Sequence, residues 1–91
     1  MLFVVRCIDK KDHLPVRMEN RTAHVEYLKS FGDKLFAAGG LLDDDEKMCG
    51  SVVIIDVADK VEAEAFAAGD PYAQAGLFEY KTIDRWNKVL P

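Results

Sequence analysis

The uninterrupted run Ser51–Val57 (SVVIIDV) limits most strongly what this chain can fold into. β-Branched residues dominate it from end to end, which is typical of a strand. A second run, Leu2–Ile8 (LFVVRCI), is apolar on both faces and predicts another strand. Since 91 residues leave room for one domain with one modest core, we expect both strands in a single sheet.

Two further segments are predicted strands. Lys34–Leu42 (KLFAAGGLL) contains the pair Gly39-Gly40, which disfavours a helix and favours strand two. Leu77–Trp86 (LFEYKTIDRW) alternates in polarity and predicts the last strand. Its two sides are Phe78, Tyr80, Thr82 and Trp86 on one, and Glu79, Lys81 and Arg85 on the other.

Two segments are predicted helices. The first is expected over Arg17–Phe31, with Gly32 as its stop, because residues of one helical face recur at three- and four-residue spacing. Those residues are Arg17, Arg21, His24, Leu28, Phe31 and Leu35. The second is expected over Lys60–Ala68, because Asp59 and Glu62 can accept hydrogen bonds from the free N–H groups of its first turn. Gly69 suits its end, and Pro71 prevents its continuation.

The predicted order of elements is βαββαβ, a ferredoxin-like α+β arrangement in which both helices cover one face of an antiparallel sheet. The other face is then bare, although strands one and three are apolar on both sides. An exposed apolar face of this kind marks an interface. We therefore expect a homodimer in which two sheets pack face to face and form a β-barrel shared by two chains.

Composition excludes several classes of function. The chain has 16 acidic and 12 basic side chains, and the acidic surplus is scattered, so nucleic-acid binding is not expected. No stretch approaches the length of a membrane span. Met1–Cys7 lacks the basic leader and cleavage site of a signal peptide and is better interpreted as a strand.

The two cysteines, Cys7 and Cys49, do not have the CxxC spacing of a redox or zinc site. We expect both to be reduced thiols in a cytoplasmic protein. A catalytic thiol at Cys49 would need a neighbouring base or helix N-terminus. No cofactor motif, phosphate-binding glycine loop or serine nucleophile elbow is present.

The polar end of the first helical face carries the best candidates for chemistry. Arg17, Arg21 and His24 share this face, which suggests the mouth of a pocket where His24 acts as a general base and Arg21 holds an anionic group. In the alternative interpretation, His24 donates to a backbone carbonyl and both arginines lie along the surface.

Asp70 has a structural explanation from the sequence alone. An aspartate before proline is a common turn former, and its carboxylate then accepts only from nearby backbone amides. Tyr72 and Trp86 are more often packing residues than ligand-stacking groups. His13 and His24, with Asp12 and Glu19, fit no known spacing of zinc ligands, so no metal is expected.

Several of these residues stand in a pattern that resembles the YciI-like family. The matching motifs are Arg21-Thr22-Ala23-His24-Val25, Ala38-Gly39-Gly40 and Asp70-Pro71-Tyr72, followed by Gly76-Leu77-Phe78 and Trp86. The resemblance covers essentially the whole chain, although many relatives have Gly-Pro in place of Gly39-Gly40.

The resemblance implies a small dimeric α+β barrel with a His and an Asp that meet in a pocket. Relatives include a dehydrochlorinase of chlorinated hydroxyhydroquinones and muconolactone isomerases, which implies proton transfer on small cyclic or aromatic acids. His24 and Asp70 are then the expected catalytic residues, and Arg21, Arg17 and Tyr72 the substrate-binding residues. Asp70 is then expected to accept from one ring nitrogen of His24 and fix its tautomer, a role that is compatible with its turn-forming role. The alternative is a non-catalytic ligand-binding or regulatory module with the same fold.

Overall fold

The computed structural model describes all residues from Met1 to Pro91 and contains one four-stranded antiparallel sheet. The strands are β1 (Leu2–Asp9), β2 (Leu35–Leu42), β3 (Met48–Asp56) and β4 (Phe78–Trp86), in the spatial order β2-β3-β1-β4. The two long apolar runs therefore form the centre of the sheet. This order confirms the predicted ferredoxin-like α+β fold.

The first helix is displaced from its predicted position. Helix α1 covers Leu14–Lys29, so it begins three residues before Arg17 and ends two residues before Phe31. Pro15 lies in its first turn, where the missing N–H of proline costs no helical hydrogen bond. The chain leaves the helix at Ser30, and Gly32 takes a positive φ of 56° at the start of a short 3-10 turn.

Helix α2 covers Lys60–Gly69 and confirms the predicted start. Asp59 Oδ1 accepts a hydrogen bond from the Glu62 N–H at 2.9 Å, and Glu62 Oε2 accepts one from the Ala58 N–H at 2.9 Å. A short helix, α3 (Pro71–Gln74), was not predicted. Pro71 ends α2 but occupies the first turn of α3, a position that proline favours. No helix in the protein is long and apolar enough to cross a membrane.

The core lies between the helices and one face of the sheet. Alternate residues of the central strands supply it, and Ile55 is fully buried. Phe66 of α2 and Leu28 of α1 cover them from the helical side. The strand residues of this core are Phe3, Val5 and Cys7 from β1 and Val53 and Ile55 from β3.

The sequence predicts Phe78 on the same side of the last strand as Tyr80, and this prediction is wrong. The register between β1 and β4 shifts between Ile8, which pairs with Tyr80, and Asp9, which pairs with Phe78. This irregularity turns Phe78 toward the helices, where it packs against the core and meets the Tyr72 ring edge to face. Tyr80 remains exposed.

No helix covers the opposite face of the sheet, which we call the open face. Val4, Val52 and Ile54 are half-buried there, at positions that alternate with core residues. Phe36 of β2 and Trp86 of β4 come from the two edges of the sheet, yet their ring centroids are 6.1 Å apart. These two side chains therefore approach each other across the sheet. The open face is apolar around Val4, Val52 and Ile54, and the strand register also places Arg6 and Asp84 on it.

Shortening the most buried strand residue tests this core. Ile55→Val removes one buried methyl group, and we expect it to lower the free energy of unfolding by about 1 kcal/mol. Val61 is exposed on α2, so Val61→Ala should change stability by less than about 0.5 kcal/mol. Urea denaturation of all three proteins at one protein concentration measures both effects, and equal midpoints would contradict this placement of Ile55.

Candidate active site

His24 and Asp70, 46 residues apart in the sequence, meet inside the protein. The His24 Nδ1 atom lies 2.9 Å from Asp70 Oδ1 and 3.0 Å from Oδ2. Because a carboxylate oxygen accepts hydrogen bonds, Nδ1 carries the proton in this contact. Both side chains are buried, so water competes little with the pair. The alternative contact of His24, to a backbone carbonyl, is not formed.

The backbone around Asp70 explains why its carboxylate is held there. Asp70 is both the residue that follows α2 and the N-cap of α3, and its Oδ1 accepts from the Tyr72 N–H at 2.9 Å. Capping this helix holds the carboxylate in the position in which it contacts the imidazole. The turn-forming role and the contact with His24 therefore occur together, as the sequence allowed.

The Tyr72 ring stacks on the imidazole of His24. The two ring centroids are 3.9 Å apart, and the ring planes differ by 13°. Tyr72 is almost completely buried, and burial raises the pKa of its hydroxyl, while nearby Arg17 acts in the opposite direction. Tyr72 thus holds the imidazole plane in place, and it also borders the cavity described below.

Arg17 is buried, so the interpretation that it lies along the surface is wrong. Its Nε donates to Asp9 Oδ2 at 2.7 Å, and its Nη2 donates to Asp9 Oδ1 at 2.8 Å and to Ser51 Oγ at 2.9 Å. The guanidinium carbon also lies 4.6 Å from the centre of the Tyr72 ring. Burial acts to lower the pKa of Arg17, but the hydrogen-bonded Asp9 carboxylate outweighs it, and the pKa is raised.

Sequence reasoning missed Asp9 and Ser51. The predicted first strand ends at Ile8, before Asp9, and Ser51 is predicted only as part of an apolar strand. Ser51 precedes Val53 and Ile55 at the two-residue spacing of one strand face, so it is the polar member of an otherwise apolar set. This position in the strand was the sequence signal that could have identified Ser51 as a site residue. The signal for Asp9 was weaker, because its partner Arg17 lies on another element.

A cavity of about 260 Å³ lies between α1, the strands β2 and β3, and Tyr72. It contains four of the five predicted site residues, and Asp70 stands behind His24. Arg21 lies at its exposed rim and forms no ion pair or hydrogen bond within the chain. The residues that line the cavity include Arg17, Arg21, His24, Ser51 and Tyr72.

Glycine shapes one wall of this cavity. A side chain at Gly40 would collide with the thioether end of Met48, which occupies the space beside it. Both residues line the cavity. A residue larger than glycine would therefore push Met48, whose side chain is flexible, out of its present position.

The remaining reactive groups lie outside this arrangement. Cys7 is buried, and burial, reinforced by the nearby Asp70 charge, raises the pKa of its thiol to about 11. Cys7 is therefore an inert core residue at neutral pH. Cys49 is also free, and neither cysteine lines the cavity. No cluster of three or more His, Cys, Asp or Glu side chains with the geometry of a metal site is present.

Fold and cavity together define a small ferredoxin-like α+β protein with a histidine–carboxylate pair beside its pocket. The profile of the YCII-related domain matches residues 1–87, so the chain belongs to this family. Proteins named YciI from Escherichia coli O6:H1 and Shigella flexneri are each 33% identical to it over 98 residues, covering 99% of this chain and all of the relative.

Solved structures agree with this assignment. The 5-chloro-2-hydroxyhydroquinone dehydrochlorinase TftG of Burkholderia phenoliruptrix, in complex with 2,5-dihydroxybenzoquinone, is 34% identical and superposes with a TM-score of 0.88. The match covers 96% of this chain and 94% of that enzyme. An antibiotic biosynthesis monooxygenase, 14% identical with a TM-score of 0.60, shares the fold over 99% of this chain and 100% of its own.

Replacing the carboxylate tests whether Asp70 fixes the tautomer of His24. An asparagine keeps the capping oxygen but adds N–H donors, so Asp70→Asn should reduce the preference for a proton on Nδ1. Nitrogen-15 NMR of the neutral imidazole reports the tautomer directly. Asp59→Asn, at the N-cap of α2, is the matched control and should leave the His24 signals unchanged. Identical tautomers in wild type and Asp70→Asn would contradict the orienting role.

Proposed function

We propose that the protein is a small enzyme that uses His24 for proton transfer on a small cyclic or aromatic organic acid. The reaction is of the isomerase type or of the lyase type, to which dehydrochlorination belongs. His24 is the general base, Asp70 orients it, and Arg21 and Arg17 contact an anionic group of the substrate. Tyr72 completes the wall of the substrate pocket.

The free nitrogen of His24 is the observation that carries this proposal. Nδ1 is bound to Asp70, whereas Nε2 forms no hydrogen bond in the protein. Every side-chain nitrogen or oxygen that is inaccessible to solvent has a hydrogen-bond partner. Because Nε2 has none, it must be accessible to solvent. His24 lines the cavity, and an imidazole whose Nδ1–H is held by a carboxylate presents an unshared electron pair on Nε2. That atom can take a proton from a bound molecule.

The reaction types named above begin with the same step. Nε2 takes a proton from a carbon or oxygen of the substrate, and the freed electron pair moves into a double bond. In a lyase, a leaving group such as chloride departs with the bonding pair of electrons. In an isomerase, the imidazolium returns the proton to another atom of the same molecule. Asp70 stabilises the imidazolium in either case.

The similarity to the dehydrochlorinase supports this substrate class. That enzyme acts on a hydroxylated chlorinated ring and was solved with 2,5-dihydroxybenzoquinone, a planar ring with acidic oxygens. The cavity of about 260 Å³ has a size suited to one ring of this kind and has apolar walls formed by Leu28, Leu35 and Val53. Chlorinated and unchlorinated hydroxyhydroquinones are therefore the first substrates to test.

A turnover screen separates an enzyme from the alternative, a binding module. We expect product from a chlorinated hydroxyhydroquinone or a small lactone, and His24→Gln should lower kcat at least about 100-fold, the usual contribution of a general base. His13→Gln replaces the other histidine, which lies outside the cavity, and should retain full activity. Ligand binding without product across the screen would favour the non-catalytic module.

We further propose that two copies of the chain pack with their open faces together. Val4, Val52 and Ile54 are only half-buried in one chain, and Phe36 and Trp86 are exposed beside them. A second copy brings a face of the same composition, and packing the two sheets face to face removes this apolar area from water. The helices and the cavity lie on the other side of each sheet.

Sedimentation at micromolar concentration tests the homodimer. The wild type should sediment at twice the chain mass of 10.2 kDa. Ile54→Lys places a charge in the centre of the open face and should shift the population to monomer, because burying an unpaired charge is costly. Val61→Lys, on the exposed surface of α2, should remain dimeric. A monomeric wild type would rule out this assembly.

A further inference from the structure

We propose that Met48 determines the size of the ligand that the cavity accepts, because its side chain is the partition between this cavity and a second, polar groove. The inference rests on the proposed function, since it takes the cavity as the ligand site. It deepens that function by separating ring acids without a bulky substituent, which the wild type binds, from ring acids with one, which bind well only when the partition is removed.

The polar groove lies where the segment between β1 and α1 approaches the hairpin that joins β2 and β3. Its volume is about 530 Å³, and only three of the 12 residues that line it are hydrophobic. The lining consists of residues 9–15, Asp43, Asp45 and residues 47–49. The groove therefore provides a large polar space at the end of the sheet.

Met48 is the only residue that lines both the cavity and the polar groove. It is the first residue of β3 and is half-buried. Strict alternation from the buried Ser51 would turn Met48 toward the open face. The register between β2 and β3 shifts between Leu41 and Leu42, however, and the Met48 thioether lies beside Gly40, which lines the cavity. The shift thus brings this side chain between the two spaces.

Gly40 leaves the room that the Met48 side chain fills. A Cβ atom at position 40 would collide with Sδ and Cε of Met48, whereas it would lie at an ordinary 3.7 Å from the Gly50 carbonyl oxygen. The partition is therefore made of a side chain on one strand and the absence of one on the other. Methionine is unbranched and flexible, so shortening it should open the partition without moving the backbone.

The size of the cavity explains what the partition excludes. A volume of about 260 Å³ suits one ring, and a second ring attached to the first needs space beyond it. The polar groove supplies that space once the thioether is absent. A purely structural role of Met48 makes a different prediction, because the loss of a wall contact would then weaken small and large ligands alike.

Isothermal titration calorimetry with two quinones of equal charge tests this role. 2,5-Dihydroxybenzoquinone has one ring, and its 3-phenyl derivative keeps the same acidic groups and adds a second ring. Wild type should bind the one-ring quinone at least about tenfold more tightly than the derivative, because overfilling a packed site is costly. Met48→Ala should bind the derivative at least about tenfold more tightly than wild type does, and the one-ring quinone within about threefold of wild type.

Two control variants accompany this measurement. Met48→Leu keeps an apolar side chain of similar volume and should retain the wild-type preference for the one-ring quinone. Met18→Ala removes a methionine that is exposed on α1 and lines neither space, so both affinities should match those of wild type.

Gly40→Ala tests the contact that positions the partition. In wild type the new methyl group displaces the Met48 thioether and should shift the ratio of the two affinities by at least about threefold. In the Met48→Ala background the methyl group meets no side chain and should leave that ratio within about twofold. An equal shift in both backgrounds would contradict control of ligand size by the Met48 side chain.

Three further results would overturn the partition. Equal affinity of the wild type for the two quinones would mean that the phenyl group leaves the cavity past Arg21. An unchanged affinity ratio in Met48→Ala, or failure of the wild type to bind either quinone, would also do so. The proposed function fails separately: if the affinity ratio changes as expected while no substrate in the turnover screen gives product, Met48 limits ligand size in a binding module. Thermal unfolding of each variant shows that the compared proteins are folded.

Discussion

The Asp70 carboxylate is the contact on which the site depends, because it joins three parts of the chain. It follows α2, caps α3 through the Tyr72 N–H, and binds Nδ1 of His24 on α1. The same cap that starts α3 brings the Tyr72 ring against the imidazole. One carboxylate therefore contacts the histidine and caps the helix that carries the ring packed on it.

Arg17 connects this arrangement to the sheet. Its side chain crosses from α1 to Asp9 at the end of β1 and to Ser51 on β3, and it also contacts Tyr72. The polar end of the α1 face is thus held by the sheet at Arg17 and by Asp70 at His24. The cavity lies beside this stretch of the helix, and both Arg17 and His24 line it.

The extent to which the sequence predicted these features follows from the range of each interaction. Strands, helix α2 and its cap were predictable because periodicity and capping act between near neighbours, such as Asp59 and Glu62. The pairing of His24 with Asp70 came only from resemblance to a family. The contact of Arg17 with Asp9 and Ser51, the helix α3 and the register shift that turned Phe78 inward depend on tertiary neighbours, which no local pattern encodes.

The polar core is an argument for function in its own right. Of 17 buried residues, four are polar or charged, namely Arg17, His24, Ser51 and Asp70. Buried ion pairs seldom stabilise a protein more than well-packed apolar residues of the same volume would. A domain of this size has a small free energy of unfolding, so polar residues scattered through its core would be hard to explain. These four are not scattered: Arg17 bonds Ser51, His24 bonds Asp70, and the Tyr72 ring contacts both Arg17 and His24. Their concentration around one cavity is the arrangement expected of groups that are retained for a bound ligand rather than for folding.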